Sequence, residues 1–419
     1  MTLSGKIQIP ASLCMKCRGG KLLCGLSYCP ISVKLMAKKL MESHSPGKTL
    51  NGTSPPSVFV GRYGYPKINI YPSSPPFHGD TSRLEKTSEW LNMGIEEFLS
   101  MRLSLLRGST PVEVTQAADP GRLFQEIQLM AISGKPVEVD MELEKPIGDK
   151  DVILDEHASP MGPSSPLKKI SVDYGAPDRH VEKAYSDTDL KAADAMKYLY
   201  SSGIQVDRIS SIISIGALGE KKRRRAVPTR WAITASDKSI SDSLVKEIRD
   251  YQQISSFEVY VRPTYGNLFM GILTPSNWIY EWGESWFPGS TWNQWGDHAE
   301  IELDYEGYNF RKDYPDIGGC YYSTRLAVAE KFKSMRRRGG AITWREIYPG
   351  FNLPVGVWHV RENMRALFSS EPMRFGTLQE CVQYLSDFTQ VPIENWVRKS
   401  YVYPTLTTNN LDRFLEMKT

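Results

Sequence analysis

The chain has 419 residues, of which 41% are hydrophobic and 24% charged, with a net charge of only +3. That length supports two or three hydrophobic cores, and the near-neutral balance excludes a polycation that coats nucleic acid along its whole surface. No run of eighteen apolar residues occurs and residues 1–6 lack the apolar stretch of a secretory signal, so the sequence predicts a cytoplasmic protein without a membrane segment.

Charge is distributed unevenly. Residues 1–50 carry eight basic side chains against the single acid Glu42, and four of the six cysteines, Cys14, Cys17, Cys24 and Cys29, fall in the same region. Their Cys-x2-Cys-x6-Cys-x4-Cys spacing lets two short loops each present a thiolate pair, which together fill the tetrahedral shell of zinc. With no position open to water, such a Zn2+ is structural and orders a segment too polar to fold alone. Thiolate count alone does not choose the metal, so an iron-sulfur cluster and four unligated thiols are the alternatives. Cys320 and Cys381 have no second thiol nearby in sequence and read as buried small hydrophobes.

Beyond the cysteines, Val33, Met36, Leu40 and Met41 recur at helical spacing beside the basic edge of Lys34 and Lys38. A Ser/Pro/Gly-rich stretch at 43–56 reads as a linker. Residues 58–71 read as two strands around a Gly-Pro turn, 90–106 as a helix, and 137–143 as a half-buried strand from the alternation of Val137, Val139, Met141 and Leu143. Residues 146–177 read as a loop, 188–200 as a helix, 231–235 as a strand and 239–252 as a helix. Residues 257–262 and 267–274 form a predicted hairpin. A helix is expected from Gly318-Gly319 to Gly339 and a strand over 355–361. The pattern predicts an α+β fold of mixed, irregular α/β character: a zinc module at 1–50, a large body in two parts, 51–295 and 296–405, and a flexible tail at 406–419.

Several clusters are candidates for function. Lys221, Lys222, Arg223, Arg224 and Arg225 form a basic run suited to phosphate, and Arg336, Arg337 and Arg338 form a second one that equally suits a helix C-terminus. Arg62, Lys67, Arg230, Arg361 and Arg365 lie in glycine-rich or strand-end segments and are candidates to converge on the phosphate of DNA or of an adenine nucleotide. Trp278, Trp282, Trp286, Trp292 and Trp295 crowd into eighteen residues, where core packing competes with base stacking. Glu300, Glu302 and Asp304 alternate along a predicted strand, a pattern shared by a solvated edge and by a magnesium site for phosphodiester cleavage. In the tail, Leu411, Phe414 and Leu415 share one side of a helical turn. This resembles the PCNA-interacting peptide through which repair and replication proteins bind the sliding clamp; Thr408 stands where that motif has glutamine, and Leu415 where it has its second aromatic.

Taken together, the cysteine cluster, residues 58–70 (VFVGRYGYPKINI), 214–235 (SIGALGEKKRRRAVPTRWAITA), 318–326 (GGCYYSTRL), 354–365 (PVGVWHVRENMR) and the tail resemble the archaeal Nre family of DNA repair proteins, of the clamp-binding NreA type. The resemblance implies a nucleoid-associated role in repairing DNA damage, a zinc-binding N-terminus and recruitment through the PCNA clamp. It implies no particular reaction. A metal-dependent nuclease or nucleotide-processing enzyme built on the acidic strand is the alternative reading.

Overall fold

A computed structural model describes residues 47–148, 158–173, 177–351 and 355–407, with Ser12, Met15 and Gly175 besides. The four clustered cysteines, the basic helix expected after them and the tail residues Thr408, Leu411, Phe414 and Leu415 lie outside the described residues.

Period-two patterning builds the first sheet. Strands β1 (Thr49–Ser54), β2 (Ser57–Val60), β3 (Lys67–Ser74), β4 (Leu106–Glu113), β5 (Val137–Leu143) and β6 (Ser164–Asp173) pair in the order β1-β5-β6-β4-β3-β2, antiparallel except for β4 with β6. In β5 the four alternating apolar residues are all buried and face the core, as their spacing predicts. The loop expected over 146–177 instead contains β6, whose buried Leu167, Ile170 and Val172 are out of strict alternation. The pairing register with β5 shifts at Glu142/Leu143, and this irregularity hides the strand from a period-two reading.

The second sheet takes β8 (Phe257–Thr264), β9 (Asn267–Thr274), β10 (Tyr280–Trp286), β11 (Glu300–Glu306), β13 (Gly340–Ile347) and β14 (Met373–Phe375) in the order β11-β10-β13-β9-β8-β14. Two short strands, β7 (Gln252–Gln253) and β12 (Arg337–Arg338), pair separately. Strands from both sides of residue 295 therefore share one sheet.

The helices are α1 (Thr87–Trp90), α2 (Ile95–Leu103), α3 (Arg122–Ile132), α4 (Arg179–Ser186), α5 (Ala192–Ser201), α6 (Val206–Ser214), α7 (Thr229–Ile248), α8 (Cys320–Met335), α9 (Trp358–Phe368), α10 (Leu378–Ser386), α11 (Ile393–Lys399) and α12 (Val402–Thr407). Helix α6 meets the first sheet and packs on α7; α7 packs on α8, and α8 and α9 meet the second sheet. One continuous core runs through these layers, from Ile68 and Ile70 through Leu244 and Leu326 to Phe269 and Leu367. The other face of the second sheet buries Met270, Ile342 and Trp344 against Cys381 and Leu385 of α10 and Trp396 of α11.

Four further expected elements differ. The strand expected over 231–235 is the first part of α7, where Ala232, Ser236, Ile240, Leu244 and Ile248 make a buried helical stripe; tertiary packing overrides the β preference of Trp231, Ile233 and Thr234. The strand expected over 355–361 gives way to α9, which buries Arg361, Glu362 and Asn363 among its apolar residues. The helix expected over 90–106 is two helices separated by residues 91–94, and Leu106 already belongs to β4. Helix α8 stops at Met335, with Arg336 in the left-handed region at φ 51°, and not at Gly339.

Candidate functional site

One row of side chains crosses the second sheet toward a cleft. In register, Glu302 of β11 lies opposite Glu284 of β10, Glu284 beside Arg345 of β13, and Arg345 opposite Phe269 of β9. Directly paired residues share a sheet face. Arg345 is buried; its Nη1 donates to Glu284 Oε1 at 3.0 Å and its Nε and Nη2 donate to Asn267 Oδ1 at 2.8 and 2.6 Å. Phe269 and Phe351 lie over its guanidinium at 5.2 and 5.4 Å. Glu284 is thereby fixed, while Glu302 is exposed.

Above this row lies a cleft of 380 Å³, lined among others by Arg230, Glu284, Trp286, Trp292, Glu302, Gly318, Gly319, Cys320, Arg345 and His359. Helices α7, α8 and α9 all start around it, through Arg230, Cys320 and the turn before Trp358. Their positive dipole ends favour the two carboxylates of the floor. The segments 214–235, 318–326 and 354–365, which carry much of the family resemblance, meet here.

His359 packs against Phe351 and Phe269, with ring centroids at 5.3 and 6.0 Å, and its buried Nδ1 finds no hydrogen-bond partner among the described residues. Burial, reinforced by Arg345 and Arg262, pulls its pKa down to about 3, so the ring is neutral at ordinary pH. Cys320, expected to be buried, is only half-buried at the first turn of α8; Cys381 is fully buried.

The tryptophans divide by position. Trp278 and Trp282 are core, Trp286 is half-buried at the cleft, and Trp292 and Trp295 are exposed. Trp286 and Trp292 meet edge to face at 6.2 Å.

The acidic strand divides likewise. Asp304 accepts from Arg311 Nη1 at 2.5 Å and from the Ile317 amide at 3.0 Å, holding the segment that leads into α8. Glu300 pairs with His298 at 2.8 Å. Only Glu302 of the three lines the cleft. Among the described residues no group of three or more His, Cys, Asp or Glu converges to hold a metal ion. The metal-site reading of Glu300, Glu302 and Asp304 thus lacks a converging donor set.

The basic candidates are also dispersed. Arg361 is buried, with Nη1 donating to both oxygens of Asp237 at 3.0 and 3.1 Å and Nη2 donating to Asp207. Arg365 pairs with Glu330 at 2.7 Å and Glu362 at 2.8 Å. The expectation that these two meet phosphate is corrected: their charges are already answered inside the fold. Arg224 is buried too and donates to the carbonyls of Gly219, Tyr185 and Asp187, leaving Lys221, Lys222, Arg223 and Arg225 on the surface. Arg336 and Arg337 are exposed, as a solvated chain reversal requires. Arg62 and Lys67 flank the β2–β3 turn, and this hairpin is tied to the start of α7 by the Val60 amide, which donates to Thr229 Oγ1 at 2.8 Å.

A second cavity, of 410 Å³, lies between the first sheet and α6. Its Arg208 donates to the carbonyls of Pro56 and Ser133, and burial pulls its pKa down to about 10. No basic run or glycine motif marks Arg208, so the sequence does not single it out.

Comparison with known proteins gives this architecture its family. The archaeal Nre N-terminal family model matches residues 23–293 and the archaeal Nre C-terminal model residues 306–414. The chain belongs to the archaeal Nre family. This Nre protein is 40% identical over 388 residues to the DNA repair protein NreB of Archaeoglobus fulgidus, covering 92% of this chain and 96% of that one. It is 35% identical to the DNA repair protein NreA of the same organism, over 88% of this chain and 92% of the relative. NreA of Haloferax volcanii is 34% identical, over 87% of this chain and 89% of its own. No helix among the described residues of the Nre chain is long and apolar enough to cross a membrane.

Proposed function

We propose that this Nre protein is a DNA repair factor whose body holds DNA beside the cleft, whose clustered cysteines bind one structural zinc ion and whose tail recruits it to the PCNA sliding clamp. What supports the repair role is similarity along 87 to 92% of the chain to proteins named for DNA repair. Loss of the gene should sensitise cells to alkylating, cross-linking or ultraviolet damage, with survival restored by the intact gene. Unchanged survival under all three treatments would refute the role.

The donor set at Cys14, Cys17, Cys24 and Cys29 suits zinc: four thiolates complete a tetrahedron and leave no site for water. Metal analysis of the purified protein should give one zinc per chain, lost in the Cys17→Ser/Cys24→Ser variant. Stoichiometric iron with a brown colour would decide for a cluster instead.

Clamp recruitment can be tested without disturbing the body. Glu281, fully buried, accepts from Ser400 Oγ at 2.9 Å, the Tyr401 amide at 2.7 Å and the Val402 amide at 3.1 Å, and so pins the start of α12 to β10. Leu406 packs on the same core. Deleting residues 408–419 leaves both contacts in place. Such a protein should melt at the wild-type temperature yet fail to co-elute with the sliding clamp, whereas undiminished co-elution would remove the tail from the recruitment reading.

A further inference from the structure

We infer that the β2–β3 hairpin tip and the adjoining cleft form a binding track for single-stranded DNA, with the cleft receiving an unpaired base. The inference rests on the reading that the body binds DNA, and adds which form of DNA it takes and where.

The tip carries an unusual set of exposed aromatic rings. Tyr63 is 70% exposed and Tyr65 49%, and Tyr65 lies against Trp231, itself 45% exposed, with ring centroids at 5.2 Å. Basic groups interleave with them. The Arg62 guanidinium sits over Tyr63 at 5.2 Å, and Lys67 is exposed at the far side of the turn. Gly64, at φ +82°, lets the chain reverse between the two tyrosines. Exposed large aromatics cost solubility without gaining core stability, and rings alternating with cations fit a strand whose bases stack while its phosphates are neutralised. Duplex DNA offers no comparable fit, because its base faces are already stacked on one another.

The track continues into the cleft. Trp231 follows Arg230 in sequence, and Arg230 is part of the cleft wall with Trp286 and Trp292. The floor, Glu284 and Glu302, repels phosphate but accepts hydrogen bonds from the amino group of an adenine, cytosine or guanine. A base therefore enters beside the Trp286–Trp292 pair, against the exposed ring of Trp292, and its phosphates stay outside near Arg230, Arg62 and Lys67. Sharing one strand between ring platform and pocket accounts for the placement of both.

The test is fluorescence anisotropy of the full-length protein with a labelled mixed-sequence 20-mer, as single strand, as duplex and as RNA. The single DNA strand should bind at least about tenfold tighter than the duplex, and Tyr65→Ala and Trp231→Ala should each weaken it by roughly tenfold. These two variants should leave the salt dependence unchanged, whereas Arg62→Ala/Lys67→Ala should flatten its slope by about 0.7 for each phosphate contact removed. A 2-aminopurine placed within the strand should be quenched on binding, with the quenching lost in Trp292→Ala and kept in Trp295→Ala. Trp295 is 88% exposed and outside the cleft wall, so it serves as the control. Equal binding of single strand and duplex with neutral aromatic variants would overturn the inference and leave DNA binding standing; tighter binding of RNA would overturn the DNA assignment. Absence of binding to any of the three would remove the underlying reading as well.

Discussion

Arg361→Met should destabilise the protein by about 3–5 kcal/mol, seen as a lower denaturant midpoint at unchanged slope. Arg361 and Asp237 are both wholly inaccessible, and Asp207 completes the triad from α6. Thus α6, α7 and α9 are joined through one guanidinium. Removing it leaves two carboxylates facing each other without their ion-pair partner, with Arg365 acting on them only from a distance. Asp237 already has its pKa raised to about 6 by burial, against the pull of Arg361; Asp207, despite its own burial cost, is held below the normal range by Arg361 and by the hydroxyl of Thr87. Adding Asp237→Asn to Arg361→Met should recover part of the loss, because one of the stranded charges disappears with it. By contrast, Arg223→Ala should change stability by less than about 0.5 kcal/mol, since its contact with Glu220 is solvated. A loss from Arg361→Met as small as that one would mean the carboxylates are neutralised without it.

This triad also marks where the sequence stops being informative. Arginines beside glycine-rich segments are read as ligands for phosphate, and Arg361 and Arg365 satisfy that pattern completely. Nothing local shows that Asp207, Asp237 and Glu330, contributed by three other helices, are waiting for them. Carboxylates are used internally elsewhere in the same way. Glu346 accepts from the Val391 amide at 3.1 Å and from Trp396 Nε1 at 3.2 Å, fixing the approach to α11. Glu306 accepts from Trp278 Nε1 and from Arg325 Nε, both at 2.7 Å. A polar residue that organises a core carries no periodic signature, which is why α9, with Arg361, Glu362 and Asn363 inside, reads as a strand. Elements whose buried positions are mainly apolar were legible, namely β5 and the β8–β9 hairpin, and so was α8 after its Gly318-Gly319 start, where Leu326, Val328 and Phe332 keep the helical period although Arg325 is buried among them.

The cleft was half legible. Its Trp286, Trp292, Arg230 and Glu302 all stand out in the sequence, each for a different reason and each with a plain structural alternative. Their convergence was not legible, because it depends on β10 and β11 pairing so that Glu284 faces Glu302, and on three helices beginning at one point. Glu284, Arg345 and His359 were missed for the same reason. The one available signal was that three of the segments carrying the family resemblance are short, glycine-containing and far apart in the chain, as expected of loops gathered around a common site.

His359 should offset Asp237 on the acid limb of the stability curve, and His359→Gln should turn a nearly flat curve between pH 6.5 and 4.5 into one that rises on acidification. Burial holds the folded-state pKa near 3, against 6.5 for the free side chain. Within that window the unfolded chain binds a proton that the folded chain refuses, so stability is complete above pH 6.5 and is lost as the pH falls. At pH 4.5 the loss is about 2.7 kcal/mol for a fully buried ring, trimmed toward about 2 kcal/mol by the half-open cleft. Asp237 opposes it. Its folded pKa of about 6 exceeds the ordinary 3.8, so the folded state takes up the extra proton and acidification through the same window stabilises by up to about 2 kcal/mol. The two contributions nearly cancel in the wild-type protein, whose stability should change little from pH 6.5 to 4.5. Without the imidazole, only the Asp237 contribution remains, and the variant should become more stable on acidification. Denaturant midpoints at pH 6.5, 5.5 and 4.5 measure this directly. Parallel wild-type and variant curves would mean that His359 takes its proton in the folded state, which requires Nδ1 to find an acceptor, or water from the cleft to reach the ring, despite Arg345 and Arg262 beside it.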